Sequence, residues 1–217
     1  MNNFNLKKLA SIIIFGCLGL FSNAQNLSYY YPSDGMIQGG IYAILEDHNS
    51  DMWFGSWANP AGTPGLVKYN GDTWEYITTE NGLVGDFVRQ VFEDNTNNIW
   101  IATTTGISKW DGVNFTNYTS IDGLLDDYVY SIFQDDSGNM WFGSDQGLSM
   151  FDGINWIRYD AATINPSLRA ISTIIQDQNG DLFIIDYRNH RLQKFDSNGN
   201  FLMKLGGVGS DEGQFTY

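Results

Sequence analysis

VYSIFQDDSGNMWFGSDQGLSMFDGINWIRY, residues 129–159, contains four short, largely apolar runs separated by turn signals. Val129, Ile132 and Phe133 make the first run. It ends in Asp135-Asp136-Ser137-Gly138-Asn139, where Asx side chains can bond their own backbone and a glycine supplies positive φ. Met140 to Gly143 is a second run that begins around Trp141, and Gly147 to Phe151 is a third. Asp152-Gly153 is a hairpin signal, and Asn155 to Tyr159 follows as a fourth. The stretch predicts four antiparallel strands joined by tight turns.

The same unit recurs along the chain. Its marker aspartate appears as Asp47, Asp94, Asp135 and Asp177, which lie 47, 41 and 42 residues apart. A spacing of about 40–45 residues is that of four-stranded propeller blades. The predicted fold is therefore all-β, a β-propeller of four-stranded antiparallel blades, with blades at 41–80, 88–119, 129–160 and 171–205. Residues 27–31 align with an outermost strand that lacks its own inner three, and Gly213-Gln214-Phe215 reads as the start of another repeat. Four blades with these two remnants imply an incomplete ring; a self-closed four-bladed protein is the alternative.

Residues 1–24 carry Lys7 and Lys8, an apolar run from Leu9 to Phe21, and Ser22-Asn23-Ala24. That pattern predicts a secretory signal peptide removed before Gln25, too short and wrongly flanked for a membrane span. Gly16-Cys17 could end a lipoprotein signal, but Leu18 to Phe21 stay apolar where such a chain would turn polar. Ordinary cleavage removes the one cysteine, so no disulfide or thiol chemistry is expected. Aromatic residues at 15% and apolar residues at 42% suffice for a packed core. The formal charge is −14, and losing Lys7 and Lys8 makes it −16. Nucleic acid and anionic membrane surfaces are thereby disfavoured as partners, and no membrane insertion is expected after cleavage.

Three copies of V-x-x-I-x-x-D-x-x-x-x-x-W-[FI]-[GA]-[ST], at Ile41 to Ser56, Val88 to Thr103 and Val129 to Ser144, resemble the two-component regulator propeller repeat. So do Gly106 to Gly112 and Gly147 to Gly153, with the pattern G-[IL]-x-x-[WF]-D-G. The first copy departs by a longer loop and by Asn70-Gly71 in place of Asp-Gly. The fourth copy, Asp186-Tyr187-Arg188-Asn189-His190-Arg191-Leu192-Gln193-Lys194-Phe195-Asp196, resembles an NHL repeat. Both resemblances imply a propeller. The first also implies the extracytoplasmic sensor portion of a hybrid sensor kinase responding to glycan fragments, with a histidine kinase module further along a longer protein or on another chain.

In such a blade the loop between strands two and three and the loop into the next blade share one end. Variation is concentrated there, where loops on a rigid scaffold carry function. The largest departure is Trp57 to Pro64. The candidate ligand-binding residues are Trp57, Asn59, Arg89, Tyr42, Tyr130, Asp127, Arg169 and Arg188. An aromatic platform with guanidinium donors suits a sugar or a carboxylated small molecule, the ring covering C–H faces and the guanidinium pairing with an oxyanion. Trp57 packing its own loop and Arg89 pairing with Asp86 are the structural alternatives. Trp53, Trp100 and Trp141 recur once per blade and read as packing.

Catalytic parts are sparse. His48 sits in a stereotyped turn and His190 in the repeat signature; no Gly-x-Ser-x-Gly elbow is present. Asp177 to Asp181 has a faintly calcium-loop-like composition without the closing glutamate, and reads better as a hairpin turn. No cofactor, metal or catalytic residue is expected. The sequence points to a non-enzymatic, exported, periplasmic or extracellular propeller that binds an oligosaccharide or a protein. The alternatives are a surface interaction scaffold and an NHL-type lyase.

Overall fold

The marker aspartate shapes each blade's first hairpin by bonding across it. Asp47 Oδ1 accepts the backbone N–H groups of Asn49 and Asp51, both at 2.9 Å, while Oδ2 accepts the Trp53 indole N–H at 2.8 Å. Asp94 does the same for Thr96, Asn98 and Trp100, and Asp135 for Ser137, Asn139 and Trp141. All three aspartates are buried, so each carboxylate is desolvated and needs this full set of donors.

The computed structural model describes residues 40–57, 65–160 and 168–209. Blade one comprises β1 (Ile41–Glu46), β2 (Met52–Ser56), β3 (Leu66–Tyr69) and β4 (Trp74–Ile77). Blade two is β5 (Val88–Glu93), β6 (Ile99–Thr103), β7 (Gly106–Trp110) and β8 (Phe115–Tyr118). Blade three holds β9 (Val129–Gln134), β10 (Met140–Ser144), β11 (Leu148–Phe151) and β12 (Trp156–Tyr159). Blade four holds β13 (Ile171–Gln176), β14 (Leu182–Asp186), β15 (Arg191–Phe195) and β16 (Phe201–Gly206). Each blade is one antiparallel sheet with its strands in sequence order. The signal-like segment, residues 27–31, Asn59 and Gly213 to Phe215 lie outside the described residues. Among the described residues no helix is long and apolar enough to cross a membrane.

The core lies between blades. Trp53, Leu66 and Ile77 of blade one pack against Val88, Val91, Ile99 and Ile101 of blade two. Trp100 and Ile107 meet Val129, Ile132, Met140 and Phe142, and Trp141 and Leu148 meet Ile171, Ile174, Leu182 and Ile184. Burying such side chains is worth about 1.5–3 kcal/mol each, which is how a sheet stack without disulfides holds together. Inner strands approach closely where β2 and β10 carry glycine: a Cβ at Gly55 would lie 2.5 Å from Val88 Cγ1, and one at Gly143 2.6 Å from the Ile171 carbonyl oxygen. Gly147, expected to open a strand, instead turns the chain at φ 145°, before β11 starts at Leu148.

A polar latch repeats beside this packing. The residue ending the inner strand of blades two, three and four accepts a backbone N–H from the preceding blade's first turn. Glu93 accepts from His48 N at 3.0 Å, Gln134 from Asn95 N at 2.7 Å, and Gln176 from Asp136 N at 2.9 Å. The His48 Nδ1 atom also meets the Glu93 carboxylate. Gln134 and Gln176 in turn donate to Gly138 and Gly180 carbonyls in their own turns. The arc of blades is therefore held in register by a side chain in one repeat and a peptide group in the last.

Candidate functional site

The pairing of every inner strand slips by one residue at the same place. Ile41 pairs with Ser56 but Ala43 with Gly55; Val88 pairs with Thr103 but Gln90 with Ala102. The slips at Val129/Ser131 and Ile171/Thr173 are equivalent. The skipped residues are Tyr42, Arg89, Tyr130 and Ser172, one per blade. A bulge leaves its extra residue out of the ladder and re-aims that side chain. Here three of the four bulged positions carry a ring or a guanidinium, and they converge.

Arg89 is the centre of that convergence. Its guanidinium carbon lies 5.8 Å from the Tyr42 ring centroid, 5.6 Å from Trp57, and 5.2 Å from both Tyr128 and Tyr130. Arg89 Nη2 donates to the Tyr128 hydroxyl at 2.7 Å, and its Nε is buried without a partner. Tyr42 and Trp57 are tilted neighbours at 6.2 Å, Trp57 rests edge-on against Phe87 at 5.4 Å, and Tyr128 and Tyr130 lie 4.9 Å apart. Tyr42 and Trp57 remain 55% and 42% exposed, so the box around Arg89 is open on their side. Each cation–ring contact of this kind contributes about 0.5–2 kcal/mol, depending on desolvation.

The polar chain continues into blade four. The Tyr130 hydroxyl donates to Asp145 at 3.2 Å, and Arg188 Nη1 donates to the other Asp145 oxygen at 2.9 Å. Burial pushes the Tyr130 phenol above its ordinary pKa, and the Asp145 charge adds to that, so it stays a donor throughout the neutral range. Tyr187, largely exposed, lies next to Arg188.

The other sequence candidates have different surroundings. Asp127 is engaged in its own turn, accepting the Ser120 N–H at 2.6 Å and the Ser120 hydroxyl at 3.3 Å. Arg169 is exposed, and its backbone N–H donates to Asp186 at 3.0 Å. Asp86 does not pair with Arg89 but accepts from the Thr79 N–H and hydroxyl, the counterpart of the Asp127 arrangement. Three residues of the cluster, Phe87, Tyr128 and Asp145, are not among the sequence candidates.

In blade four the segment after β14 is organised by Asp186. This fully buried carboxylate accepts from Asn189 Nδ2, Arg191 Nε and Gln193 Nε2, at 2.7 to 3.0 Å. His190 sits in a left-handed turn, its N–H donating to the Tyr187 carbonyl at 3.1 Å. Asp177 accepts from the N–H groups of Asn179 and Asp181, an Asx turn. No group of three or more His, Cys, Asp or Glu side chains is gathered to hold a metal ion among the described residues.

An arc of four-stranded antiparallel blades around their inner strands, carrying an aromatic and arginine cluster at one end, defines an incomplete β-propeller. Residues 35–58, 82–105 and 123–146 match the family described as two component regulator propeller, and the chain carries three repeats of that family. The fourth blade lies outside the matched segments. No curated protein matches the sequence. Among solved structures, the chain is similar to the extracellular domain of a hybrid two-component system from B. thetaiotaomicron, with 18% identity and a TM-score of 0.64. That match covers 75% of this chain and 23% of the other. A second extracellular domain from the same organism, described as part of a one component system, gives 20% identity, a TM-score of 0.61 and coverage of 76% and 25%. A virginiamycin B lyase from Staphylococcus aureus gives 15% identity, a TM-score of 0.58 and coverage of 76% and 55%. At these identities the likeness is one of fold. The chain spans about a quarter of the length of the two extracellular domains.

Proposed function

We propose that this chain is the ligand-reading segment of an exported sensing propeller, non-catalytic, that recognises a carbohydrate-like ligand. The observation that carries the reading is the convergence of bulged residues. The repeat places one re-aimed side chain per blade at one end, and three of the four here, Tyr42, Arg89 and Tyr130, are joined by the exposed Trp57. Exposed rings beside fixed hydrogen-bond donors suit the alternating C–H and O–H faces of a sugar. The fold likeness to extracellular domains of two-component and one-component systems supports a sensing role. A ligand at this end would then be reported to a histidine kinase module, in a longer form of the chain or on another chain.

A second reading, a protein-interaction scaffold, is favoured by one feature. Ile175, Ile185, Met203 and Leu205 lie exposed on the face of blade four equivalent to the faces buried between the other blades. The lyase reading draws on fold likeness alone.

A thermal melt with a broad panel of oligosaccharides tests the proposal. A ligand at a hundred times its dissociation constant adds about 2.7 kcal/mol, or roughly 5–10 °C for a chain of this size. The expected result is a saccharide-specific rise that Trp57→Ala abolishes. A cooperative melt that no saccharide moves overturns the carbohydrate reading and leaves a protein partner.

A further inference from the structure

We infer that the ligand taken at this end is an oxyanion-bearing saccharide, a carboxylate or a sulfate ester, and that Arg89 is the group that meets its charge. The inference rests on the ligand-reading role proposed above and concerns which class of saccharide that site selects.

Arg89 makes no ion pair among the described residues. Its one hydrogen bond goes to a neutral phenol, and its Nε is buried without a partner. The four rings attract the cation but offer no directional acceptor for a planar fork of five N–H donors.

Among the described residues, the acids of the entry loops and turns at this end are bonded to other groups. Asp86 is bonded to Thr79 and Asp127 to Ser120, while Asp126 accepts the Tyr128 N–H. Asp145 is shared by Tyr130 and Arg188, and Asp186 by Asn189, Arg191 and Gln193. In a chain of net charge −14, one carboxylate opposite Arg89 would have been easy to supply.

Two further arginines strengthen the inference. Arg188 is half exposed and Arg169 is exposed, and both flank the inner strand and first hairpin of blade four, at the end occupied by Arg89. The two remaining arginines have structural partners: Arg158 donates to the carbonyls of Gly123 and Ser120, and Arg191 pairs with Asp186. Arg89 and Arg169, which make no ion pair among the described residues, and Arg188, which shares Asp145 with Tyr130, thus all lie at the end where the rings are open. A guanidinium fork meets a carboxylate or sulfate through two parallel hydrogen bonds, a stronger and more directional contact than sugar hydroxyls make.

Calorimetry on the full chain tests this with paired probes. One pair is oligogalacturonate and its fully methyl-esterified counterpart; the others are glucuronate-containing and sulfated oligosaccharides with their esterified or desulfated forms. The expected result is binding on the order of tenfold tighter for at least one charged member than for its charge-erased partner, since a charge-assisted pair replaces a neutral one. The gap should close in Arg89→Gln and be only partly kept in Arg89→Lys. The pair that shows the gap identifies carboxylate or sulfate as the source of the oxyanion. Equal affinity for both members of every pair overturns the anion inference while leaving saccharide recognition intact. Binding to none of the probes, charged or neutral, overturns both. If Arg89→Gln melts without cooperativity, the charged-against-erased comparison on the native chain decides alone.

Discussion

Blades one to three and blade four solve one problem, burying a carboxylate in a sheet, at opposite ends of the sheet. In the first three the buried acid is the hairpin aspartate, and the indole N–H six residues on completes its shell. In blade four Phe183 stands at the indole position, so Asp177 keeps only its backbone donors and turns outward to Lys194, which also bonds Asp181 at 2.6 Å. Lys194 lies over the Phe183 ring at 5.0 Å, as Lys68 and Lys109 lie over Trp53 and Trp100 at 5.2 and 5.3 Å. The buried acid of blade four is instead Asp186, at the end where the bulges lie. The difference teaches that a repeat's signature residues mark where its desolvated charge is kept, and that two dialects of repeat can share one stack because that charge is satisfied within the blade.

Asp186→Ala should break the comparison most severely. It removes the buried acceptor shared by Asn189, Arg191 and Gln193, and losing one half of a buried ion pair costs about 3–5 kcal/mol. Denaturant melts should show the larger loss for this variant than for any change to Asp177. Trp100→Phe gives blade two the chemistry of blade four, and should cost about 1–3 kcal/mol by leaving the buried Asp94 one donor short.

That second cost carries a pH signature. Burial pushes the Asp94 carboxyl up, but hydrogen bonds from Trp100, Asn98 and Thr96 outweigh it and hold the pKa below 3.8. A depressed folded value means the stabilisation is present above 3.8 and is lost as pH falls through the lower, folded value. The gap between native chain and Trp100→Phe should therefore narrow between about pH 6 and about pH 3 in paired melts. A gap that widens on acidification would show that the indole bond does not favour the ionised acid. The smallest effect belongs to Arg188→Ala. Its ion pair with Asp145 is about half exposed on the arginine side, so the melt should move by at most about 1 kcal/mol, whatever happens to ligand binding.

Much of this was legible in the repeat. The spacing of Asp47, Asp94, Asp135 and Asp177 gave the four-stranded antiparallel blades, and runs such as Asn155 to Tyr159 are strands within a residue of their ends. Placing the variable loops at one end also brought Tyr42, Trp57, Arg89 and Tyr130 into one list. What spacing could not show was the bulge, which depends on strand pairing rather than composition. A signal for it did exist: the equivalent positions 42, 89, 130 and 172 vary among Tyr, Arg and Ser, while the residue before each is always Ile or Val. Asp127 illustrates the opposite case. Asp86 precedes it in the equivalent place, and each has a hydroxyl residue seven positions earlier, Thr79 or Ser120. A feature that repeats in this way belongs to the scaffold, whereas Tyr128 was obscured because nothing in Asp126-Asp127-Tyr128 says which side chain turns inward.

The latch between blades has a consequence for how such chains grow. Its hook is a Glu or Gln carried at one fixed place in the repeat, and its eye is a peptide N–H that any preceding copy possesses. A tandem duplication therefore brings its own fastening and needs no matching substitution in its neighbour. Ancestral chains could lengthen or shorten by whole copies while selection acted elsewhere, on the one re-aimed residue that each copy contributes to the shared end.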